Sequence, residues 1–372
     1  MASNEETRKT GVLTRPQVGG AHEHETELRD PLFFRNNTPV VGSPETPGRV
    51  APDISFEMHF FSDKKVMPDG EEVEIWGFED VLRSKDDKTL RKPFPSSLIR
   101  VREGQIVHVK VKPGKRQHTI HLHGIESDTH NDGVGHTSFE VTGSYTYQWR
   151  AGAPFGSHGR GAGTYFYHCH VNTTLHVEMG MYGSLIVDPV EGPGTAFQGG
   201  PTYDVEAERI WAVDDIDPRW HNLPHAAGLC GGDAGLNDFR PEYFLITGVP
   251  QPLTGTITDP KVATHGKLGG EPILIRYINA GYTRQRITFE GLGDGLDVEV
   301  IASDGRGFDN RPPNFAKPFL LEKGKPPEVA TAERYDYLVK PKKRGVYPVT
   351  VEFLHWIRGD VIGVVTTTIT IS

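Results

Sequence analysis

One short segment carries the side chains best suited to bind a transition metal. It reads His168-Cys169-His170 and is followed by His176 and Met181. A thiolate, an imidazole and a thioether in this order supply three ligands of a blue-copper site, which holds copper in a plane of two His and one Cys with a weak axial Met. The spacing therefore predicts that Cys169, His176 and Met181 bind one copper ion.

The missing second imidazole is available upstream, in the run His118-Thr119-Ile120-His121-Leu122-His123-Gly124. One blue-copper site needs His118 in addition to Cys169, His176 and Met181. Met179 is an alternative axial ligand, although its position three residues after His176 favours a place in the core.

Four imidazoles remain once this site is filled, and they form two His-x-His pairs: His121 with His123, and His168 with His170. Residues i and i+2 point to the same face of a strand, so each pair can present both rings to a shared cavity. Cys169 must then point to the opposite face. One short strand would carry a copper on one side and ligands for more copper on the other.

Short alternating runs separated by turn signals surround these motifs. The runs in the first half are Ile54–Phe61, Val73–Phe78, Leu98–Val101, Ile106–Val111, His118–His123, Tyr145–Trp149, Thr164–Val171 and Gly183–Val187. This number of short strands in one segment predicts a Greek-key β-sandwich over residues 53–190.

The rest of the chain divides by composition. Residues 1–52 are polar and without periodicity, which predicts an extended arm, and residues 191–204 read as a linker. A second series of strands occupies residues 205–372, so the chain is predicted to be all-β, with two sandwiches in tandem. The second half has His221, His225, His265 and His355, but no His-x-His pair.

Composition excludes several classes of function. The formal net charge is −9 and no basic run is present, which argues against nucleic acid as a partner. No stretch is long and apolar enough for a bilayer span or a signal peptide, so we expect no membrane partner and leave the compartment open between the cytoplasm and export with a removed signal. Of the two cysteines, Cys169 is expected to be a ligand and Cys230 a free thiol.

These motifs resemble those of the multicopper oxidases. "HTIHLHG" and "YHCHVNTTLHVEMGMYGSLIV" are similar to the two copper motifs of a cupredoxin-like domain, and the resemblance covers residues 53–190. It implies that His118, Cys169, His176 and Met181 bind the blue copper, and that the remaining imidazoles bind a copper cluster; these are His121, His123, His168 and His170. The second half resembles a copper-free cupredoxin-like domain, with Arg286-Ile287-Thr288-Phe289 where a copper domain would place His-x-His.

The sequence departs from the family in one respect. A trinuclear cluster in these enzymes uses four His-x-His pairs, whereas this chain has two in the sandwich and His22-Glu23-His24 in the arm. Either the second site is smaller or another subunit completes it, and we expect a homo-oligomer, with a trimer by analogy to two-domain relatives. Copper nitrite reductases are related, but they carry a catalytic Asp where this chain has His121.

The sequence therefore predicts a copper-dependent oxidoreductase of the multicopper oxidase type, with no catalytic residues beyond the copper ligands. A small-molecule or metal-ion reductant (a phenol, an aromatic amine or a metal ion) would give electrons to the blue copper at an exposed edge of His176, and dioxygen would be reduced at the second site. Two alternatives stay open: a nitrite-reductase-like enzyme and a non-catalytic electron carrier. Glu126, Asp128 and Asp132 are candidate proton relays.

Overall fold

The computed structural model describes residues 51–125, 127, 129–135, 137–152, 161–229, 233–308 and 317–372. Nearly all of the predicted arm lies outside the described residues, as do His22, His24, Glu126, Asp128 and Cys230. In the described part of the chain two β-sandwiches follow each other, which confirms the predicted all-β tandem architecture.

The first sandwich consists of two four-stranded sheets. Its strands are β1 (Ile54–Val66), β2 (Glu72–Asp80), β3 (Ile99–Arg102), β4 (Ile106–Lys112), β5 (His121–His123), β6 (Tyr145–Arg150), β7 (Gly163–His168) and β8 (Tyr182–Asp188). One sheet has the order β2-β1-β4-β6 and the other β3-β8-β7-β5. The short helix α1 (Val81–Ser84) lies between β2 and β3 and connects the two sheets, whereas α2 (Thr173–Glu178) connects β7 to β8 within one sheet.

Side-chain alternation explains why these segments pack as a sandwich. In β4, Val107, Val109 and Val111 are fully buried, while the residues between them are only partly buried. A period of two turns every second side chain to the core. Cys169, Met179 and Met181 belong to the same core, so two of the predicted copper ligands, Cys169 and Met181, lie within this apolar layer.

The second sandwich follows the same plan. Its strands are β9 (Arg209–Ile216), β10 (Tyr243–Ile246), β11 (Val249–Pro250), β12 (Thr264–Gly266), β13 (Ile273–Asn279), β14 (Arg284–Phe289), β15 (Leu296–Ser303), β16 (Arg306–Gly307), β17 (Phe319–Leu320), β18 (Glu328–Val329), β19 (Arg334–Pro341), β20 (Gly345–Leu354) and β21 (Val361–Ile371). One sheet has the order β11-β10-β9-β13-β19-β15-β16, with β17 on β15, and the other β12-β21-β20-β14-β18. Short 3-10 helices lie at Lys88–Leu90, Val205–Ala207 and Trp220–Asn222.

The two sandwiches pack through the sheet that carries the histidines. Strands β7, β8 and β13 are buried along their whole length because they are covered on both faces. Thr164 in β7 donates to Asp336 at 2.5 Å, and Arg276 donates to both Thr164 (3.2 Å) and Asp336 (3.3 Å). Arg276 also donates to Glu208 at 2.7 Å, and Glu208 accepts from Arg100 of the first sandwich at 2.7 Å, so this largely buried network links the two sandwiches.

The segment predicted as a linker is packed rather than extended. Ala196, Phe197 and Tyr203 form a small apolar cluster with residues of the second sandwich, among them Leu274 and Leu338. The exact domain boundaries stay a prediction. In the described ranges, no helix is long and apolar enough to cross a membrane.

Candidate metal centres

The structure brings three of the predicted blue-copper ligands together. The Cys169 Sγ lies 3.6 Å from His118 Nδ1 and 3.4 Å from His176 Nδ1. The donor atoms all lie within 4.8 Å of one another, and the three residues have no exposed surface. A metal bound here would be shielded from water by the protein core.

Backbone hydrogen bonds position these three side chains. His118 forms a two-way bridge with Val141 (3.2 Å in both directions), and its ring stacks on Phe60 at 4.7 Å. His176 lies in the last turn of α2, next to the core. The ligand set is therefore held by one strand bridge, one strand end and one short helix.

Met181 is tied to the same site through its backbone. The Cys169 N–H donates to the Met181 carbonyl at 2.9 Å, and the Met181 N–H donates to the His176 carbonyl at 3.0 Å. Met181 is fully buried, and so is Met179. Met179 differs because its carbonyl accepts from Trp76 at 2.7 Å; Met181 remains the predicted axial ligand.

The protonation of these groups fits a metal site. Burial raises the pKa of the Cys169 thiol to about 12 and lowers the pKa of His176 to about 3. Burial also holds the pKa of His118 well below its usual value. The imidazoles are thus neutral and ready to bind a cation, while the thiolate becomes stable only when a cation is beside it. One thiolate, two imidazoles and one thioether are the donors that copper prefers.

A second histidine cluster lies on the other side of Cys169. Ligand nitrogens of His121, His123 and His168 are within 4.8 Å of one another. The His170 ring is 5.4 Å from that of His121 and 5.7 Å from that of His168, measured between centroids. The structure therefore gathers all four imidazoles that the His-x-His pairs predicted.

Hydrogen bonds to backbone carbonyls set the tautomer of two of these rings, those of His121 and His168. The Nδ1 of His121 donates to the Asp132 carbonyl oxygen at 2.8 Å, and the Asp132 carboxylate lies 3.4 Å from the same nitrogen. The Nδ1 of His168 donates to the Cys169 carbonyl oxygen at 2.9 Å. Both bonds place the proton on Nδ1 and leave Nε2 unprotonated, which fixes the tautomer and the orientation of each ring; the Nε2 of His168 lies 3.3 Å from His123 Nδ1.

Two rings of this cluster, those of His123 and His168, are neutral because their pKa values are lowered. Burial, reinforced by the nearby guanidinium of Arg334, lowers the pKa of His123 to about 3. Burial lowers the pKa of His168 to about 3 as well. Uncharged imidazoles such as these two can accept a cation without first losing protons.

The strand that should carry Cys169 is shorter than expected. Strand β7 ends at His168, so the prediction of a strand continuing through Val171 was wrong, and β5 starts at His121 rather than at His118. The alternation of faces still holds: Tyr167 and Cys169 lie in the core, whereas Phe166 packs towards the second sandwich. Beyond the strand, the His170 N–H is held by the Thr119 hydroxyl at 2.9 Å.

The predicted exposed edge of His176 was wrong. The side chain is fully buried, and its Nε2 donates to the carbonyl oxygen of His225 at 3.2 Å. The His225 ring lies 4.3 Å from the His176 ring and 5.0 Å from the His118 ring, between centroids. Sequence reasoning missed His225 because it is a single His in a loop of the second sandwich, with no spacing relation to the motifs.

The other histidines of the second sandwich lie apart from both clusters. His221 is buried and bonds to the Glu74 carbonyl, and His355 sits at the end of β20 beside Arg358. Among the residues described, the three-ligand groups are the two given above. Neither His22 nor His24 falls in that part of the chain.

This chain is similar in sequence to several known oxidoreductases. The sequence model of the multicopper oxidase family matches residues 84–192. The copper-containing nitrite reductase of Neisseria meningitidis serogroup B is 28% identical over 156 residues, which are 40% of this chain and 35% of that protein. The L-ascorbate oxidase of Cucumis sativus is 32% identical over 173 residues, 42% of this chain and 25% of that protein.

Similarity of structure extends over both sandwiches. The crystal structure of the blue copper oxidase from Nitrosomonas europaea covers 85% of this chain and 85% of its own, with 25% identity and a TM-score of 0.59. By sequence, the chain aligns with only 35% of the nitrite reductase and 25% of the ascorbate oxidase. The family match falls on the first sandwich, where both clusters lie.

Proposed function

We propose that this chain is a copper-dependent oxidoreductase, because the sequence model of the multicopper oxidase family matches residues 84–192, which hold both histidine clusters. It would take single electrons from a reducing substrate at a blue copper and reduce dioxygen at a second copper site. The ligands would be His118, Cys169, His176 and Met181 at the first site and the imidazoles of His121, His123, His168 and His170 at the second.

One observation carries this proposal: the two clusters share adjacent residues of one segment. Cys169 points to the His118/His176 side, while its neighbours His168 and His170 join the other cluster. The covalent path from the thiol to either imidazole is therefore one peptide link long. A lone electron-transfer site has no need for four further imidazoles that would be costly to bury without a partner.

Bound copper would supply one-electron oxidation and reduction at each site. The chain contributes the hydrogen bond from His168 Nδ1 to the Cys169 carbonyl, which joins the two clusters directly. Asp132, whose carboxylate lies 3.4 Å from His121 Nδ1 and is partly exposed, can hold and pass a proton between solvent and the second site. The apolar core around Cys169 excludes water from the first site.

A nitrite-reductase-like enzyme is the second candidate. It is supported by the similarity to the copper-containing nitrite reductase of Neisseria meningitidis serogroup B and by the carboxylate of Asp132 beside a second-site imidazole. The four imidazoles favour a larger copper site, because a single copper with three protein ligands would leave one ring unused.

Copper content and colour test the proposal. We expect the copper-loaded wild type to be blue and to hold about three or four copper ions per chain. About two copper ions per chain would indicate a nitrite-reductase-like site, and about one would indicate an electron carrier. Cys169→Ser should abolish the blue absorption but retain copper at the second site, because the imidazoles there remain. Oxygen uptake with a phenolic dye then separates an oxidase from a carrier. A colourless loaded wild type would refute the assignment of Cys169.

A further inference from the structure

A loop of the second sandwich covers the cysteine site. Residues 220–229, here called the lid, lie between β9 and β10. The lid's His225 accepts the hydrogen bond from His176 Nε2 and packs its ring against both imidazoles of the site. Trp220, at the start of the lid, is buried in the core of the first sandwich. The face of His176 that points away from Cys169 is thus closed by protein.

The side chain of Asn172 holds the lid in this place. Its Nδ2 donates to the carbonyl oxygens of His225 at 3.1 Å and of Ala227 at 2.7 Å. Asn172 has a positive φ of 45°, which Asn tolerates better than most residues. It precedes the helix that carries His176, so the same short segment provides a metal ligand and the latch for its cover.

The lid carries no formal charge. Residues 220–229 include no Asp, Glu, Lys or Arg. Its exposed positions are Asn222, Pro224 and Ala226, while Leu223 and Ala227 pack against the first sandwich. Metal cations are held mainly by carboxylate, imidazole or sulfur ligands, and the exposed side chains of the lid offer only the amide of Asn222. A neutral aromatic molecule needs only an uncharged surface.

We propose that Asn172 latches the lid over His176, and that the outer surface of the lid is what the reductant contacts. This inference rests on the proposed function, whose substrate it narrows to a neutral organic donor such as a phenol or an aromatic amine. The donor never touches a metal ligand. It gives up one electron to the metal site across the lid and its hydroxyl or amine proton to solvent.

A metal-free experiment tests the latch. In a Cys230→Ser background, Cys169 is the only thiol, and its labelling rate in the apoprotein reports how often the buried site opens. Asn172→Asp removes both donated hydrogen bonds and still tolerates the positive φ, as does Asn172→Gly. We expect both variants to label about tenfold faster, since two hydrogen bonds between neutral groups are lost.

Asn237→Asp is the matched control, because Asn237 is exposed and lies outside the lid. It should label at the wild-type rate. Equal rates in all four proteins would overturn the latch. Thermal unfolding of each variant shows whether faster labelling is local, since a local opening leaves the melting temperature close to that of the control.

A charge placed on the lid tests where the reductant docks. Ala226→Glu adds a carboxylate next to His225, whereas Ala51→Glu adds the same charge at an exposed position before β1. With a dicationic outer-sphere reductant at low ionic strength, bleaching of the blue band should be about threefold faster in Ala226→Glu than in Ala51→Glu. Neutral hydroquinone should not distinguish the two.

Two outcomes separate this inference from the proposed function. Equal bleaching rates for the dication in both variants refute docking on the lid while leaving the copper assignment intact. A loaded protein without a blue band refutes the copper assignment, and the thiol-labelling rates still decide whether Asn172 is a latch.

Discussion

Four of the imidazoles at the two centres have one nitrogen bonded to a carbonyl or directed at the thiol. At the cysteine site, the Nδ1 atoms of His118 and His176 face the sulfur, and the Nε2 of His176 is bonded to a carbonyl. At the second cluster the roles are reversed for His121 and His168, whose Nδ1 atoms are bonded to carbonyls. Ring orientation is therefore set by the protein before any metal arrives.

The imidazole of His170 can be removed without touching the cysteine site. We expect His170→Ala to lower the rate of dioxygen reduction more than about a hundredfold. Removing a metal ligand should lower activity more than removing a residue that only orients a ligand. The blue band and its bleaching by substrate should persist, because Cys169 and His176 are unchanged. Oxygen-electrode and stopped-flow measurements check both expectations.

His265→Ala serves as the control for that variant, because His265 is exposed in the second sandwich. Full turnover in His170→Ala would mean that the second-cluster imidazoles are packing residues. The electron-carrier alternative would then be favoured.

Residue types and spacing were enough to predict the members of both clusters. Cys169, His118 and His176 meet as expected, because a thiol with matched imidazoles leaves few other uses for these side chains. The burial of His176 could not be predicted, since its cover comes from His225, which is distant in sequence and belongs to the other sandwich.

The loop between α2 and β8 links His176 to Met181 and is closely packed at Gly180. Gly180, between His176 and Met181, has a φ of +105° and lies in close contact with two neighbours. A Cβ there would be 2.7 Å from the Phe94 ring and 2.8 Å from the Trp76 carbonyl. The loop is thus tightly packed at the point where it turns towards Met181.

Gly180→Ala is expected to disturb this loop. The added methyl group must displace a carbonyl or a ring, and the positive φ is unfavourable for Ala, so we expect a loss of stability of about 1–3 kcal/mol. The blue band should weaken or shift because Met181 and His176 move. Gly70→Ala is a control with a similar positive φ of 93° and open space around the Cβ; an unshifted band in Gly180→Ala would show that the loop adapts.

For strand β7, the alternation of side chains predicted which face each residue occupies, but it did not predict where the strand ends. The prediction that Cys169 and its neighbours face opposite sides agrees with the packing of Tyr167 in the core and Phe166 towards the second sandwich. The end of β7 at His168 was missed because regular pairing stops there: the Cys169 N–H still bonds to the Met181 carbonyl, but the His170 N–H donates to the Thr119 hydroxyl and not to a partner strand.

Buried carboxyl groups line the contact between the sandwiches. Asp214 accepts from the Tyr182 hydroxyl at 2.6 Å and is almost inaccessible to water. Burial, followed by repulsion from Glu178 and Asp215, raises the pKa of Asp214 well above its usual value. The folded chain then binds a proton that the unfolded chain releases above its ordinary pKa of 3.8, so this group costs stability as the pH rises.

Asp214→Asn should therefore stabilise the protein at neutral pH. The amide is neutral at every pH and can still bond to the Tyr182 hydroxyl. We expect the melting temperature at pH 7.5 to rise by about 2–4 °C for each kcal/mol added to the free energy of unfolding. The difference in melting temperature between the variant and the wild type should be smaller at pH 4, where the wild-type carboxyl is protonated. A larger gain at pH 4 than at pH 7.5 would contradict this assignment.

The number of imidazoles at the second cluster is the reason to expect that several copies of the chain assemble. The first sandwich supplies His121, His123, His168 and His170, and a dioxygen-reducing cluster normally needs more ligands than these four. The end of β20 offers a way to supply them: Trp356 and Ile357 are 71% and 70% exposed beside His355. Adjacent large apolar side chains left open to water are typical of a surface that another subunit covers.

We expect the copper-loaded protein to be a homo-oligomer, a trimer in the first instance, in which a second copy completes the His121/His123/His168/His170 site. Trp356→Asp should shift the sedimentation coefficient to that of a monomer and lower oxygen reduction, because a charge opposes burial of this surface. The blue band should be unaffected, since the cysteine site lies within one chain. Leu253→Asp, at another exposed apolar position (75% exposed), is the control. An active monomeric wild type would show that one chain holds the complete second site.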